Sequence, residues 1–353
     1  MNSKTFDVKP GDAGIPRRRV LAGAAALGAS LAVPGLMLPG GRAYAQDAQP
    51  KKGGHLRLGI DGGASTDTLD PALATGTTMF LVSHSWGDTL VESHPVTGAA
   101  LPSLATEWTS SADAREWTLT LRDDVRFHDG SPMTVADAVA TLKRHADENS
   151  QSGAFGLLRG VTGIEERGGK LVVTLSDGNA DLPLILTDYH LMIQPGGGVD
   201  NPMAAIGTGP YKLKDFQAGV RALLERNTDD WRDDRGHVDS AEILIMNDGT
   251  ARVAALSSGQ VDFISTIEPK TVALIKRAPT VDIINTPGKG FYSFLMFCDT
   301  APFDNNDLRM ALKLAVDREA ILSQVLQGFG TLGNDFPVNA AYPLFPEGIE
   351  QRV

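Results

Sequence analysis

The stretch that most constrains this chain runs from Gly207 to Trp231. Gly207-Thr208-Gly209-Pro210 makes a sharp turn, because glycine permits positive φ and proline fixes its own φ near about −65°. Tyr211, Leu213 and Phe216 then begin a strand-like run, and Ala222 to Leu224 form a second apolar run ahead of Glu225-Arg226-Asn227 and Trp231. A loop and a hairpin inside an α/β domain account for this pattern.

Residues 1–45 read as an address rather than a fold. Pro16-Arg17-Arg18-Arg19-Val20-Leu21 has the twin-arginine arrangement, an apolar Ala/Gly/Leu-rich run extends to about Leu38, and Ala43-Tyr44-Ala45 supplies small residues for a signal peptidase. Pro34 and the small residues of Ala22 to Gly28 argue against a membrane anchor, so cleavage before Gln46 is expected. No cysteine follows the apolar run, which excludes lipid attachment there. The formal net charge is −11, and the leader is itself net basic, so the remainder is more acidic still. Such a surface disfavours nucleic acid and anionic membranes. The single cysteine, Cys298, permits no disulfide within the chain, and the core alone must hold the fold. With 353 residues, 42% of them apolar, the chain is long enough for two lobes.

Alternation predicts strands at His55 to Ile60, with Leu56, Leu58 and Ile60 on one face, and at Trp117 to Arg122, with Trp117, Leu119 and Leu121 inward. Val125 to Phe127 is expected to return as a strand into His128-Asp129-Gly130. Thr134-Val135-Ala136-Asp137 has the form of a capping box for a helix carrying Val135, Ala138, Val139 and Leu142 on one face. Further strands are expected at Leu171 to Leu175, Glu242 to Met246 and Phe291 to Phe297, and a short helix at Ala251 to Ser258. Helices are also expected with Leu308, Ala311, Leu312, Ala315 and Val316 on one face, and after Asp317, which caps Ile321, Leu322, Val325 and Leu326.

Together these stretches resemble the periplasmic dipeptide/oligopeptide/nickel-binding proteins, the family 5 solute-binding proteins of ABC importers. The matching segments are Leu69-Asp70-Pro71, the Ala99 to Trp108 run, the His128-Asp129-Gly130 turn before a capped helix, Gly207 to Trp231 (with mild departures at Thr228 and Asp230), Gly259 to Asp262, and Arg309 with Ala311, Leu312 and Asp317 to Ile321. The resemblance implies an α/β, periplasmic-binding-protein-like two-lobe (Venus-flytrap) fold with an extra domain. It divides the chain into a signal over 1–45, a first lobe over 46–86 and 190–287, an extra domain over 87–189, and the start of a second lobe over 288–353. Members run well past the point where this sequence stops, so the second main lobe is expected to be incomplete, the chain a fragment, and its solubility poor. The resemblance also implies a monomer in the periplasm, exported by the twin-arginine route. It would capture a small peptide or related solute, deliver it to an ABC-type membrane permease, use no cofactor and catalyse no reaction.

The cleft between lobes directs attention to loops at strand ends. The loop from Asp61 to Leu69 offers Asp67 and Thr68, the Met79 to Trp86 region offers Trp86 as an apolar wall, and the strand end offers Cys298 and Asp299; Asn334 lies in a later turn. Asp67 or Asp299 could receive an ammonium, though each also reads as a solvated carboxylate, and Trp86 as core packing. Cys298 is most simply a small buried hydrophobe. Catalysis finds no support: there is no P-loop, HExxH, GxSxG or CxxC. Gly328 to Gly333 matches GxGxxG but follows a helix rather than a strand. The seven histidines (55, 84, 94, 128, 145, 190, 237) show no ligand spacing, and no metal site is assigned. His128 reads as a structural hydrogen-bonder. The remaining alternatives are an exported cofactor-binding enzyme, a periplasmic ligand receptor that reports to a sensor, and a chaperone-like peptide holder.

Overall fold

The computed structural model describes residues 50–348 except Val96, Pro287, Lys289, Asn334, Pro337, Ala340, Ala341, Pro343, Leu344 and Glu347. The leader and its cleavage triplet, and Asn334, therefore lie outside the described residues. In chain order the elements are β1 (His55–Ile60), α1 (Gly76–Trp86), β2 (Val91–Ser93), β3 (Ala100–Pro102), β4 (Ala105–Ser110) and β5 (Glu116–Leu121). Then come α2 (Val135–Ala146), α3 (Phe155–Leu158), β6 (Val161–Arg167), β7 (Lys170–Leu175), α4 (Leu182–Ile185), β8 (Tyr211–Gln217) and β9 (Arg221–Arg226). The last are β10 (Ser240–Ile245), α5 (Gly249–Ser257), β11 (Phe263–Ile264), α6 (Pro269–Ile275), α7 (Asn306–Ala315) and α8 (Arg318–Ala320).

Two main sheets organise these elements. The first has the order β11-β1-β10-β9-β8. β1 pairs in parallel with β10, with Leu58 opposite Ile243, and in parallel with β11, with Leu58 opposite Phe263. β9 is antiparallel to both of its neighbours, β10 and β8, so the hairpin read from Tyr211 to Arg226 is the edge of this sheet. Its core joins Ile60, Ala222, Leu224 and Ile243 to Met79, Val82 and Trp86 from α1, with Leu56 and Leu58 packed at the margin. The second sheet, β4-β5-β7-β6, is antiparallel throughout. It buries Trp117, Leu119, Leu171 and Val173 against Ala138 and Leu142 of α2. Two apolar stripes, one with period two and one with period near 3.6, meet there and leave water together.

Several local expectations are met by local chemistry. Thr134 and Asp137 form the capping box, with Thr134 N donating to Asp137 Oδ2 at 2.8 Å and Asp137 N donating back to Thr134 Oγ1 at 3.4 Å. Asp248 caps α5 and Asp317 caps α8, each accepting a backbone N–H three residues on. Two expected strands are corrected. Val125 and Phe127 are buried at 1% and 3% exposure but form only an isolated bridge between Arg126 and Pro132, because the turn of Asp129 follows too soon for a ladder. The stretch from Phe291 to Phe297 is not a strand: none of the described strands pairs with it, and Tyr292, Phe294, Leu295 and Phe297 are 93%, 78%, 86% and 74% exposed. A strand is defined by its neighbour's hydrogen bonds, and apolar content alone does not supply them. Cys298, expected to be buried at the end of that strand, is exposed for the same reason. No helix among the described residues is long and apolar enough to cross a membrane.

Candidate functional site

β11, β1 and β10 run parallel, so their carboxyl ends come out on one edge of the first sheet. In open α/β sheets the crevice outside such ends is where ligands bind. Three loops leave this edge, and their polar groups interlock. Asn247, after β10, accepts from Gly62 N through Oδ1 at 3.0 Å and donates through Nδ2 to Gly63 O at 2.9 Å. Ser265, after β11, accepts from Asp61 N at 3.0 Å and donates to Asp61 Oδ1 at 2.7 Å. Thr78 of α1 donates to Asp61 O at 3.0 Å. Beneath them Arg252 of α5, 3% exposed, donates to Met246 O at 2.6 Å, Asn247 O at 3.0 Å and Thr266 O at 3.1 Å. Its guanidinium stands 3.6 Å from Asp61 Oδ2. Gly63 is required by close approach: a Cβ there would stand 2.8 Å from the Ile245 side chain.

The Gly207 to Trp231 stretch does something different. Gly209 N donates to Trp86 O at 3.0 Å, and a Cβ on Gly209 would lie 2.6 Å from the Trp86 carbonyl carbon. The turn is thus laid directly on the end of α1. Gly209 O accepts from Asn227 Nδ2 at 3.2 Å and pairs with His128 Nε2 at 2.9 Å, which makes His128 the structural hydrogen-bonder expected of it. Burial and the neighbouring Lys212 ammonium push the His128 pKa down, against the pull of the Gly209 carbonyl. Next to the turn Asp88 is buried at 8% exposure. Thr208 Oγ1 and Trp231 Nε1 donate to its Oδ2 at 2.9 and 3.1 Å, and Arg235 bridges it to Asp230, donating to Asp88 Oδ2 at 2.9 Å and to Asp230 Oδ1 at 2.8 Å. Burial by itself would raise the Asp88 pKa, but Arg235, Trp231 and Thr208 hold it below the ordinary carboxylate value. Burial likewise works against the charge on Arg235, whose pKa the two carboxylates nonetheless raise. This network clamps the turn to α1.

Five of the six residues read from the sequence are among the described residues, and they fall on three separate segments of the chain. Asp67 and Thr68 lie on the loop after β1, where Asp67 Oδ2 accepts from Ala64 N at 2.9 Å and Thr68 Oγ1 from Asp70 N at 3.2 Å. Trp86 is corrected as a ligand wall: it is fully buried among Met79, Val82 and Ile243 and presents no face to a crevice. Cys298 and Asp299 sit on the exposed segment and contact Met296 O and Thr300 Oγ1 locally. Asn334 lies outside the described residues. Asn247, Arg252, Ser265 and Thr266 were not picked out from the sequence. The one available signal was Arg252, a lone cation three residues before buried Ala255 on the same helix face.

An α/β sheet with loops interlocked at the carboxyl ends of its parallel strands defines a binding scaffold. The description "bacterial extracellular solute-binding proteins, family 5 middle" matches residues 99–352, and the chain belongs to that family. It is 26% identical over 293 residues to the periplasmic oligopeptide-binding protein OppA of Haemophilus influenzae, covering 76% of this chain and 54% of the relative. Its fold matches that of the periplasmic binding protein AgaA of A. tumefaciens R10, solved with agropinic acid, at a TM-score of 0.65 and 28% identity over 78% of this chain and 56% of that one. The periplasmic binding protein DppA of Helicobacter pylori, solved with the peptide STSA, matches at a TM-score of 0.71 and 20% identity over 82% and 61%. The chain spans about half the length of the curated relatives it matches.

Proposed function

We propose that this chain is the extracytoplasmic substrate-binding component of an ABC importer, that it takes a small peptide or related solute, and that it performs no chemistry on it. The observation that carries the reading is the carboxyl edge of the parallel strands, where Asp61, Asn247 and Ser265 tie three loops together, the place where open α/β sheets take their ligands. Membership in a family of solute-binding proteins supports it. The relatives' printed names include oligopeptide and glutathione binders, which favours a peptide-like solute.

In this reading residues 46–86 and 190–287 make a first lobe, 87–189 an extra domain and 288–353 the start of a second lobe. The two separate cores support that division. Asp67 and Thr68 would meet the solute from the first lobe, and Cys298, Asp299 and Asn334 from the other side. Binding would favour the closed state because both lobes touch the solute only there. The leader supports export to the periplasm by the twin-arginine route. Native mass spectrometry of the protein taken from the periplasm of its host tests all of this at once. A dissociable organic adduct of peptide-like mass is the expected result. A tightly held metal or chromophore, with turnover of an added substrate, would replace the reading with that of an exported enzyme.

A further inference from the structure

Thr266 has a φ of +41°, in the left-handed region that a β-branched residue avoids. Something must hold it there, and such outliers gather where a site is being shaped. Two contacts do so: Thr266 O accepts from Arg252 Nη2 at 3.1 Å, and Thr266 Oγ1 donates to Asp61 Oδ1 at 3.4 Å. The same guanidinium reaches Met246 O and Asn247 O, and it faces Asp61 Oδ2. One buried side chain therefore touches the first residues beyond all three parallel strands: Asp61 after β1, Met246 and Asn247 after β10, Thr266 after β11. Asn247 and Ser265 then pass that geometry outward to the Gly62 and Asp61 amides. With its side chain 4% exposed, Arg252 is too deep to meet a solute itself.

We infer that Arg252 is the positioning residue of the solute crevice, fixing the three strand-end loops, including the strained Thr266, in the arrangement that binds. The inference rests on the proposed binding function, which it deepens. A lysine keeps the charge but cannot present a planar fork to carbonyls on two loops at once. Arg252→Lys thus frees the loops with little effect on either core.

The test compares the full chain with Arg252→Lys and with Arg252→Lys/Thr266→Gly, by amide hydrogen exchange and by titration with trialanine. In Arg252→Lys the amides of Asp61, Gly62 and Ala64 are expected to exchange about tenfold faster, while those of Leu119 and Val172 in the other sheet do not change. Glycine tolerates positive φ, so Thr266→Gly should return part of that protection. Trialanine affinity should fall by about tenfold, equivalent to 1.4 kcal/mol, and recover partly in the double variant. Unchanged loop exchange overturns the inference, as does a rise spread evenly over both sheets, or equal affinity in the original chain and Arg252→Lys. If the original chain does not bind trialanine, the small-peptide reading fails, and hydrogen exchange alone decides the role of Arg252. If Arg252→Lys does not fold, Asp61→Asn, which removes the carboxylate facing the guanidinium, takes its place with the same expected pattern of loop exchange and the same overturning results.

Discussion

At the scale of single residues, the most consequential group outside the crevice is the Asp88 carboxylate. It is buried and accepts from three side chains more than a hundred residues further along the chain, Thr208, Trp231 and Arg235. Truncation would leave the buried Arg235 guanidinium with Asp230 as its one remaining carboxylate among the described residues. Asp88→Ala is therefore expected to cost about 3–5 kcal/mol, read as a lower urea midpoint with an unchanged slope. A loss below about 1 kcal/mol, the level of an exposed ion pair, would show that water reaches the network. His145 supplies a second residue-scale prediction. Its ring is fully buried, and burial followed by the Arg144 charge lowers its pKa to about 4, with Asp70 opposing. The folded state then holds fewer protons than the unfolded chain between the ordinary value of 6.5 and about 4. Stability is thus full above pH 6.5 and falls as the pH drops through that window, by roughly 3 kcal/mol in total. His145→Asn, with an amide in place of the ring that meets Ser152 Oγ, should be less stable at pH 7 but lose less between pH 7 and pH 4.5. Equal losses in the two proteins would assign the pH dependence to other groups.

At the scale of elements, the Gly207 to Pro210 turn is shaped by what it touches rather than by its own conformation. Gly209 does not have positive φ; it is glycine because the Trp86 backbone leaves no room for a Cβ. Gly209→Ala should cost about 1–3 kcal/mol through overpacking, whereas Gly156→Ala, which meets nothing within 4 Å, should be close to neutral. Equal melting temperatures for the two variants would contradict this account. The contrast also marks what the sequence made legible. The Thr134–Asp137 cap and the alternation of Trp117 and Leu119 could be read because cause and effect lie within one element. The turn could be recognised, but its reason could not, since Trp86 is remote in the chain. The aromatic richness of Phe291 to Phe297 reported apolar character and was silent about a pairing partner. Trp86 reads equally as a ligand wall and as core packing in the sequence, because a wall and a core have the same composition, and the fold buries it. Arg252 escaped notice because its partners lie on three separate strand ends that only the folded sheet brings together.

At the scale of the whole molecule, stability is unevenly distributed along the chain. The two large cores draw on residues from Leu56 to Ile243, and a third, small cluster of Ala255, Val261 and Ile264 lies under α5. Beyond α6 the pattern changes. The described residues from 281 to 297 form neither helix nor strand, and Ile284, Phe291, Tyr292 and Leu295 are all more than half exposed. In α7 and α8 no residue is buried. Local opening costs least where few apolar contacts and few ladder bonds must break, so this stretch should open long before either sheet does. A protease of broad specificity, used at low concentration under native conditions, should therefore cut first between residues 282 and 298. It should leave a resistant fragment that still carries both sheets and Arg252. The resistant piece, identified by mass, should keep the urea midpoint of the Trp117 core. Early cleavage within β5 or β7 would instead mean that the second sheet is the weaker body. If saturating solute protects the 282–298 stretch as well, that segment takes part in closure over the crevice, and the protection should disappear in Arg252→Lys at the same solute concentration.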